Sequence, residues 1–366
     1  MNMKNKWILM LSILIALMIF AFFFNKFDIK NNSLAIDWKN FYPSLQGGDI
    51  KYLSIDGILF PPWSLIPILP LGLLPMQISW GLLAGISILI LTFCVPQSNS
   101  KTLNYLSIFI LILSFPSLRN VADGNVEGIV IGGLLLIIYG YKSKNVLATV
   151  IGVILATIKF QEISIFLIVW GVFVLFTWPY RKYLITFTFI IVIVGISLLW
   201  RGKTWLAVII GASQKYSNSI VNISLSATSN RLGLPQLLFL CIWITVLVIT
   251  VFFAWKSHLI LSRELTGMLI AGSLLLSPYA ATNSVLTILA IGVLPLFHSN
   301  RLLGGVLILL FSVPYLFSSY ILYNYQATYW TLLMLITWLI LSLRIQFSIS
   351  KKGSIRSQHA ANIEDL

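Results

Sequence analysis

Asp37, in the stretch Asp37-Trp38-Lys39-Asn40-Phe41-Tyr42, is a carboxylate set among aromatic rings shortly after the chain's first apolar segment. A partly desolvated carboxylate is a competent general base for a sugar hydroxyl within hydrogen-bond reach. The plain alternative is a solvated loop aspartate. Lys159, in Ile158-Lys159-Phe160-Gln161-Glu162, places two charges and an amide inside a long apolar stretch. Charges there are costly unless they line an aqueous site; otherwise Lys159 snorkels to the interface with Glu162 as its i,i+3 partner. Asp123, Asn125 and Glu127 present the same choice, since an acid at a helix start also complements the helix dipole. Finally, the stretch from Asn222 through Ser224 to Arg231 is dense in hydroxyls and amides. Such groups suit a sugar, and a guanidinium grips a phosphate bidentately, although an ordinary polar loop reads the same way.

The elements that must position these residues are membrane helices. Apolar residues make up 58% of the 366 and charged residues only 9%, where soluble domains carry about a quarter charged. Apolar runs near twenty residues recur from Met1 to Arg344, each long enough to cross a core of about 30 Å as a helix. They do not alternate as barrel strands would. The reading is an all-α polytopic membrane protein of about twelve spans (ten to thirteen), at roughly 7–24, 77–95, 103–118, 126–141, 145–158, 162–178, 183–199, 236–255, 264–280, 284–297, 302–318 and 327–344. The first is an uncleaved anchor, because bulky Phe22-Phe23-Phe24 stands where a cleavage site needs small residues. Residues 1–344 form one membrane domain and 345–366 a polar cytoplasmic tail.

With an even count and the N-terminus inside, the inner segments hold 14 cations and three acids, the outer ones 10 cations and seven acids. The positive-inside rule therefore puts both termini in the cytoplasm of a cell membrane. Two outer segments are long. Residues 25–76 carry four charges of each sign and prolines at 61, 62, 67, 70 and 75, which rule out a regular span and predict short interfacial helices. Residues 200–235 carry Arg201, Lys203, Lys215 and Arg231 without an acid, so this loop either awaits an anion or is drawn to lipid headgroups.

Other chemistries drop out. His258, His298 and His359 fall on the cytoplasmic side, away from the candidate carboxylate. Cys94 and Cys241 lie inside apolar runs, supporting neither a disulfide framework nor a thiolate metal site. No nucleotide loop follows a strand. The net charge of +14 is scattered over short loops, which does not suggest nucleic acid.

In order along the chain, these motifs resemble glycosyltransferase family 87 of the C-type glycosyltransferase (GT-C) superfamily. Asp37-x-x-x-Phe41-Tyr42 is similar to the family's Asp-aromatic-x-x-Tyr-Tyr stretch. Phe60-Pro61-Pro62 and Leu69-Pro70-Leu71-Gly72-Leu73-Leu74-Pro75 resemble its Tyr-Pro-Pro and Pro-Leu-x-x-Leu-Pro. Gly124-Asn125-Val126-Glu127 stands at Gly-Gln-x-Asn, Ala156-Thr157-Ile158-Lys159 at Ala-x-x-Lys, Asn222-x-Ser224-Leu225 with Arg231 at Asn-x-Ser-Leu…Arg, and Ser277-Pro278 at the late Ser-Pro. Two departures stand out: no proline follows Lys159 closely, and Ala280-Ala281-Thr282-Asn283 replaces the usual aromatic and histidine.

The resemblance implies a single-sugar transfer, typically of mannose, from a polyprenyl-phosphate donor to an acceptor hydroxyl of a glycan or glycolipid at the outer membrane face, with inversion. Asp37 would be the base. Lys159, Arg231 and Arg119 would meet the donor phosphate, and Tyr42, Asn125, Glu127, Gln161, Asn222 and Ser224 the sugar and acceptor. No cofactor or metal is required, because phosphate is already the leaving group, though a divalent ion near Asp37 stays open. The competing readings are a transporter or flippase of a lipid-linked or anionic substrate, and an envelope polymerase or ligase moving whole oligosaccharides.

Overall fold

The computed structural model describes residues 15–20, 22–24, 26, 34–46, 60–216, 222–313 and 326–347, with backbone alone for 201–204 and 206–216. Asp28, Asp49, Asp56, Lys30, Lys51 and the tail beyond 347 lie outside the described residues, as do the side chains of Arg201, Lys203 and Lys215. The described part is all-helical; strand-like pairing is limited to one isolated bridge between Asn222 and Ala281.

The helices are α1 (Ile36–Leu45), α2 (Met76–Cys94), α3 (Lys101–Leu113), α4 (Phe115–Asp123), α5 (Glu127–Ser143), α6 (Val146–Ala156), α7 (Phe160–Thr177) and α8 (Tyr180–Tyr216). They continue as α9 (Leu225–Leu232), α10 (Gln236–Lys256), α11 (Arg263–Leu276), α12 (Thr282–Ser299), α13 (Arg301–Ser312) and α14 (Gln326–Phe347). Their starts are legible: Ser100, Asn145, Ser262 and Asn300 each accept the N–H of the residue three ahead, satisfying a donor that the helix leaves open. Pro75 and Pro235 precede α2 and α10.

Against about twelve expected spans, six helical runs among the described residues are long and apolar enough to cross a membrane, or seven if α3 and α4, bent by 49°, count as one. The difference has three sources. The expected span 7–24 lies partly outside the described residues, and of the expected span 302–318 only the part up to 313 lies within them. Helices α5 and α11, with 17 and 14 residues, fall short of the twenty or so that a bilayer core asks for. And the helical run Val146–Thr177, which the sequence divides at 145–158 and 162–178, is continuous through a 3-10 turn at Thr157–Lys159.

That run is nevertheless not one rod. Thr149 sits at Gly140, with its N–H bonded to Asn145, while Thr177 donates to Tyr141 Oη at 3.2 Å and Trp178 to the Tyr141 carbonyl at 3.2 Å. Both ends of the run thus meet the end of α5, whereas a straight helix of 32 residues would separate them by about 48 Å. The chain folds back at 157–159, and Lys159 occupies the apex. The α5–α6 pair is held close by glycines: a Cβ on Gly152 would come within 2.8 Å of Gly133 O and of Ile137 N. Small residues let helix backbones approach in this way.

Successive helices run between two ends of the bundle. One end gathers Asp37, Asn125, Lys159, Asn222 and Asn283; the other holds Lys182 against Lys144 and His298 against Ser107. The proline-rich stretch gives short pieces, a turn of helix at Pro62–Leu65 and a 3-10 helix at Leu69–Leu73. Trp63 clamps it, donating to Thr157 Oγ1 at 2.9 Å and packing edge-on against Trp205 at 5.4 Å. Helices α11 and α12 both have most of their residues buried, and α12 is wound as a π-helix over Leu289–Val293. Helix α8 continues to Tyr216, well into the 200–235 stretch that the sequence reads as loop.

Candidate active site

Asp37 lies in the first turn of α1, and three anchors fix that turn. Ala35, in the left-handed region at φ 53°, donates its N–H to Ala122 O at 2.7 Å. Trp38, fully buried, donates to Ser79 Oγ at 2.9 Å. Gly124, at φ 69°, closes α4 beneath Trp38, and a Cβ there would stand 2.6 Å from Trp38 Cβ. The helix carrying the carboxylate is therefore seated on the α4–α5 turn.

The Asp37 side chain itself is half-buried. Its Oδ2 accepts from Asn125 Nδ2 at 2.6 Å and from Asn283 Nδ2 at 3.0 Å. Among the described residues Oδ1 accepts no hydrogen bond. One oxygen is thus pinned by two amides, and the other keeps its lone pairs for a further donor. Asn125 comes from the turn before α5 and Asn283 from the start of α12, so the carboxylate joins three separate parts of the chain.

Behind this lies a buried ion cluster. Lys159 Nζ is 2.6 Å from Glu127 Oε2 and 3.3 Å from Glu162 Oε1, with side-chain exposures of 7%, 0% and 1% in that order. Glu127 Oε1 accepts from Thr287, and Glu162 Oε1 from Ser284. The Asp37 carboxylate lies within electrostatic reach of the Lys159 ammonium. The charge of Lys159 is thus held by two carboxylates.

Arg119 is half-exposed and paired with Asp123, four residues on; Asp123 also feels the charge of Asp37. Arg231, in the last turn of α9, donates Nη2 to Asn222 O at 2.6 Å and to Thr228 Oγ1 at 2.9 Å. Partial burial moves its pKa downward by desolvation, but a guanidinium remains charged at any working pH. Asn222 is completely buried and acts as a backbone clasp: its Nδ2 donates to Pro278 O at 3.0 Å, and its Oδ1 accepts from Ser224 N and Ala280 N. Arg231 is therefore fixed to the loop that delivers Asn283 to Asp37. Ser224 caps α9 by accepting the Ala227 N–H.

Tyr42 is buried and bonds Leu74 O at 2.5 Å while accepting from Gln46 at 2.7 Å, tying α1 to the proline-rich stretch. Gln161 is half-buried, and its side-chain amide bonds none of the described residues. Of the ten candidates read from the sequence, the structure gathers Asp37, Asn125, Glu127 and Lys159 into one connected region, with Asn222, Ser224 and Arg231 on the adjoining loop. Asn283, Ser284, Thr287 and Glu162 complete the region and were not among those candidates. Their sequence signal is faint: three short polar side chains opening an apolar helix, and an acid already explained as an i,i+3 partner. Among the described residues no group of three or more His, Cys, Asp or Glu side chains is gathered in a way that would hold a metal ion.

The model of glycosyltransferase family 87 matches residues 59–278, more than half of the chain. The chain belongs to glycosyltransferase family 87. No curated protein and no solved structure matches it. This family 87 member is thus a membrane glycosyltransferase, which needs a sugar donor and an acceptor. The match takes in Asn125, Glu127, Lys159, Glu162, Asn222 and Arg231; Asp37 and Asn283 lie on either side of it, joined to the matched region by the hydrogen bonds just described.

Proposed function

We propose that this family 87 enzyme moves a single sugar, mannose in the first instance, from a polyprenyl-phosphate donor to a hydroxyl of a glycan or glycolipid acceptor. The reaction takes place at the outer face of the cell membrane, and both chain termini are cytoplasmic. The observation that carries this reading is Asp37: a half-buried carboxylate whose Oδ2 is held by two amides while Oδ1 is open.

In the proposed step, Oδ1 takes the proton of the acceptor hydroxyl as its oxygen attacks the anomeric carbon. The new glycosidic bond forms on the face opposite the phosphate, so the configuration inverts. The bond from the anomeric carbon to the phosphate oxygen breaks, and polyprenyl phosphate leaves with the electron pair. Developing charge on that phosphate needs preorganised donors in a low-dielectric site. Arg231 supplies them in this reading, because its guanidinium is fixed on the loop that also reaches Asp37. The short helices at Pro62–Leu65 and Leu69–Leu73, with exposed Ile66 and Leu73, give the polyprenyl chain an apolar approach.

Asp37→Asn tests this. The amide keeps the size and the bond to Asn125 but cannot accept a proton. Purified protein in detergent, given labelled polyprenyl-phosphate mannose and a membrane glycolipid extract, should lose activity by about 10²–10⁴-fold, the usual weight of general-base catalysis. Wild-type turnover by the variant removes Asp37 as the base.

A further inference from the structure

We propose that Lys159, Glu127 and Glu162 form a positioning clamp, which sets the two amides that hold the Asp37 carboxylate. The inference rests on the reading of Asp37 as the base and deepens it.

The connections are short. Glu127 opens α5, two residues after Asn125. Glu162 accepts from Ser284, the neighbour of Asn283, and Glu127 accepts from Thr287 one helical turn further on. The two carboxylates therefore grip the first turn of α12 through two hydroxyls, and Lys159 at the 157–159 fold holds the carboxylates together. Both amides on Asp37 thus project from backbone that the triad fixes. The side chain that a sequence reading sends to the donor phosphate is turned inward instead, with 7% of its surface exposed.

Stability alone is a poor reason for such a cluster. Two buried carboxylates share one ammonium, and Glu162 Oε2 is buried without a hydrogen-bond partner. Buried ion pairs seldom stabilise more than well-packed apolar groups of the same volume. What a buried polar network does provide is a single geometry, and a general base needs one, since an error near 1 Å in a reacting group costs about 10²-fold in rate. Local rules tend to be broken where function requires it.

The test uses Glu162→Gln, which keeps the shape and an acceptor for Ser284 but removes the charge, and Lys159→Met, which removes the ammonium. Both are also made in an Asn283→Ala background. Initial rates with the polyprenyl-phosphate mannose probe give kcat and donor KM separately, and thermal unfolding in detergent reports on folding. We expect each triad variant to lower kcat by about tenfold or more with donor KM within about twofold, as for a group that acts through geometry rather than binding. In the Asn283→Ala background the further loss should shrink to about threefold or less, because the clamp then has less left to position.

A raised donor KM at unchanged kcat would assign Lys159 to the phosphate and overturn the proposal, as would losses that multiply independently of Asn283. Should Lys159→Met fail to fold, Glu162→Gln carries the same test. If Asp37→Asn retains full activity, the base and the clamp fall together. If Asp37→Asn is inactive while the triad variants keep their kcat, only the clamp falls.

Discussion

Replacing Gly124 by alanine should displace the base without touching it. Gly124 closes α4 at φ 69°, a left-handed conformation that costs an alanine about 1–2 kcal/mol. The added methyl would also lie 2.6 Å from Trp38 Cβ and 3.0 Å from Trp80 Cδ1. Trp38 is held by its bond to Ser79 and Trp80 by one to Val121 O, so neither ring yields without moving its helix. Overpacking of this kind adds about 1–3 kcal/mol, for a total loss of about 2–5 kcal/mol in stability. To restore a contact of 3.4 Å, α1 must retreat by about 0.8 Å, and Asp37 moves with its neighbour Trp38. A shift of that size costs about 10²-fold in rate. The assay is donor turnover per folded molecule, with folding followed by thermal unfolding in detergent. Gly171→Ala is the control, because nothing stands within 4 Å of its Cβ position; it should keep the wild-type rate. Turnover within twofold of wild type in Gly124→Ala would refute the claim that this seat positions the base.

Two further expectations follow from the same geometry. Arg231→Lys keeps the charge but loses the planar fork, and hydrogen bonds between charged groups contribute about 1.5–3 kcal/mol; donor KM should rise by about tenfold or more with kcat little changed, and an unaltered KM would remove Arg231 from the phosphate. Gly133→Ala should lower the unfolding temperature and the yield of folded protein, because its methyl would fall on the Ala156 backbone N and within 2.7 Å of Gly152 O, where only backbone can give way; a variant that melts like wild type would show that the α5–α6 pair is looser than it stands here.

The sequence by itself determined the class of the molecule and the place of several breaks. A 9% charged content with recurring apolar runs leaves helices in a membrane, because only internally bonded backbone survives in hydrocarbon. Prolines at 61, 62 and 75 end or open helices wherever the chain folds, since the missing N–H and fixed φ act within one residue. Ordered motifs gave the family, and the family model agrees. What only the tertiary structure decided is which charges meet. Lys159 and Glu127 are 32 positions apart, and Asp37 and Asn283 are 246; no local periodicity encodes such pairs. The break between 145–158 and 162–178 was legible in the sequence, yet only the packed fold at 157–159 shows Lys159 turned inward between two carboxylates. Spacing registers an ionisable side chain in an apolar stretch, but whether it faces a ligand or a buried partner depends on the helices packed around it, because hydrocarbon penalises an unpaired charge and the nearest opposite charge wins.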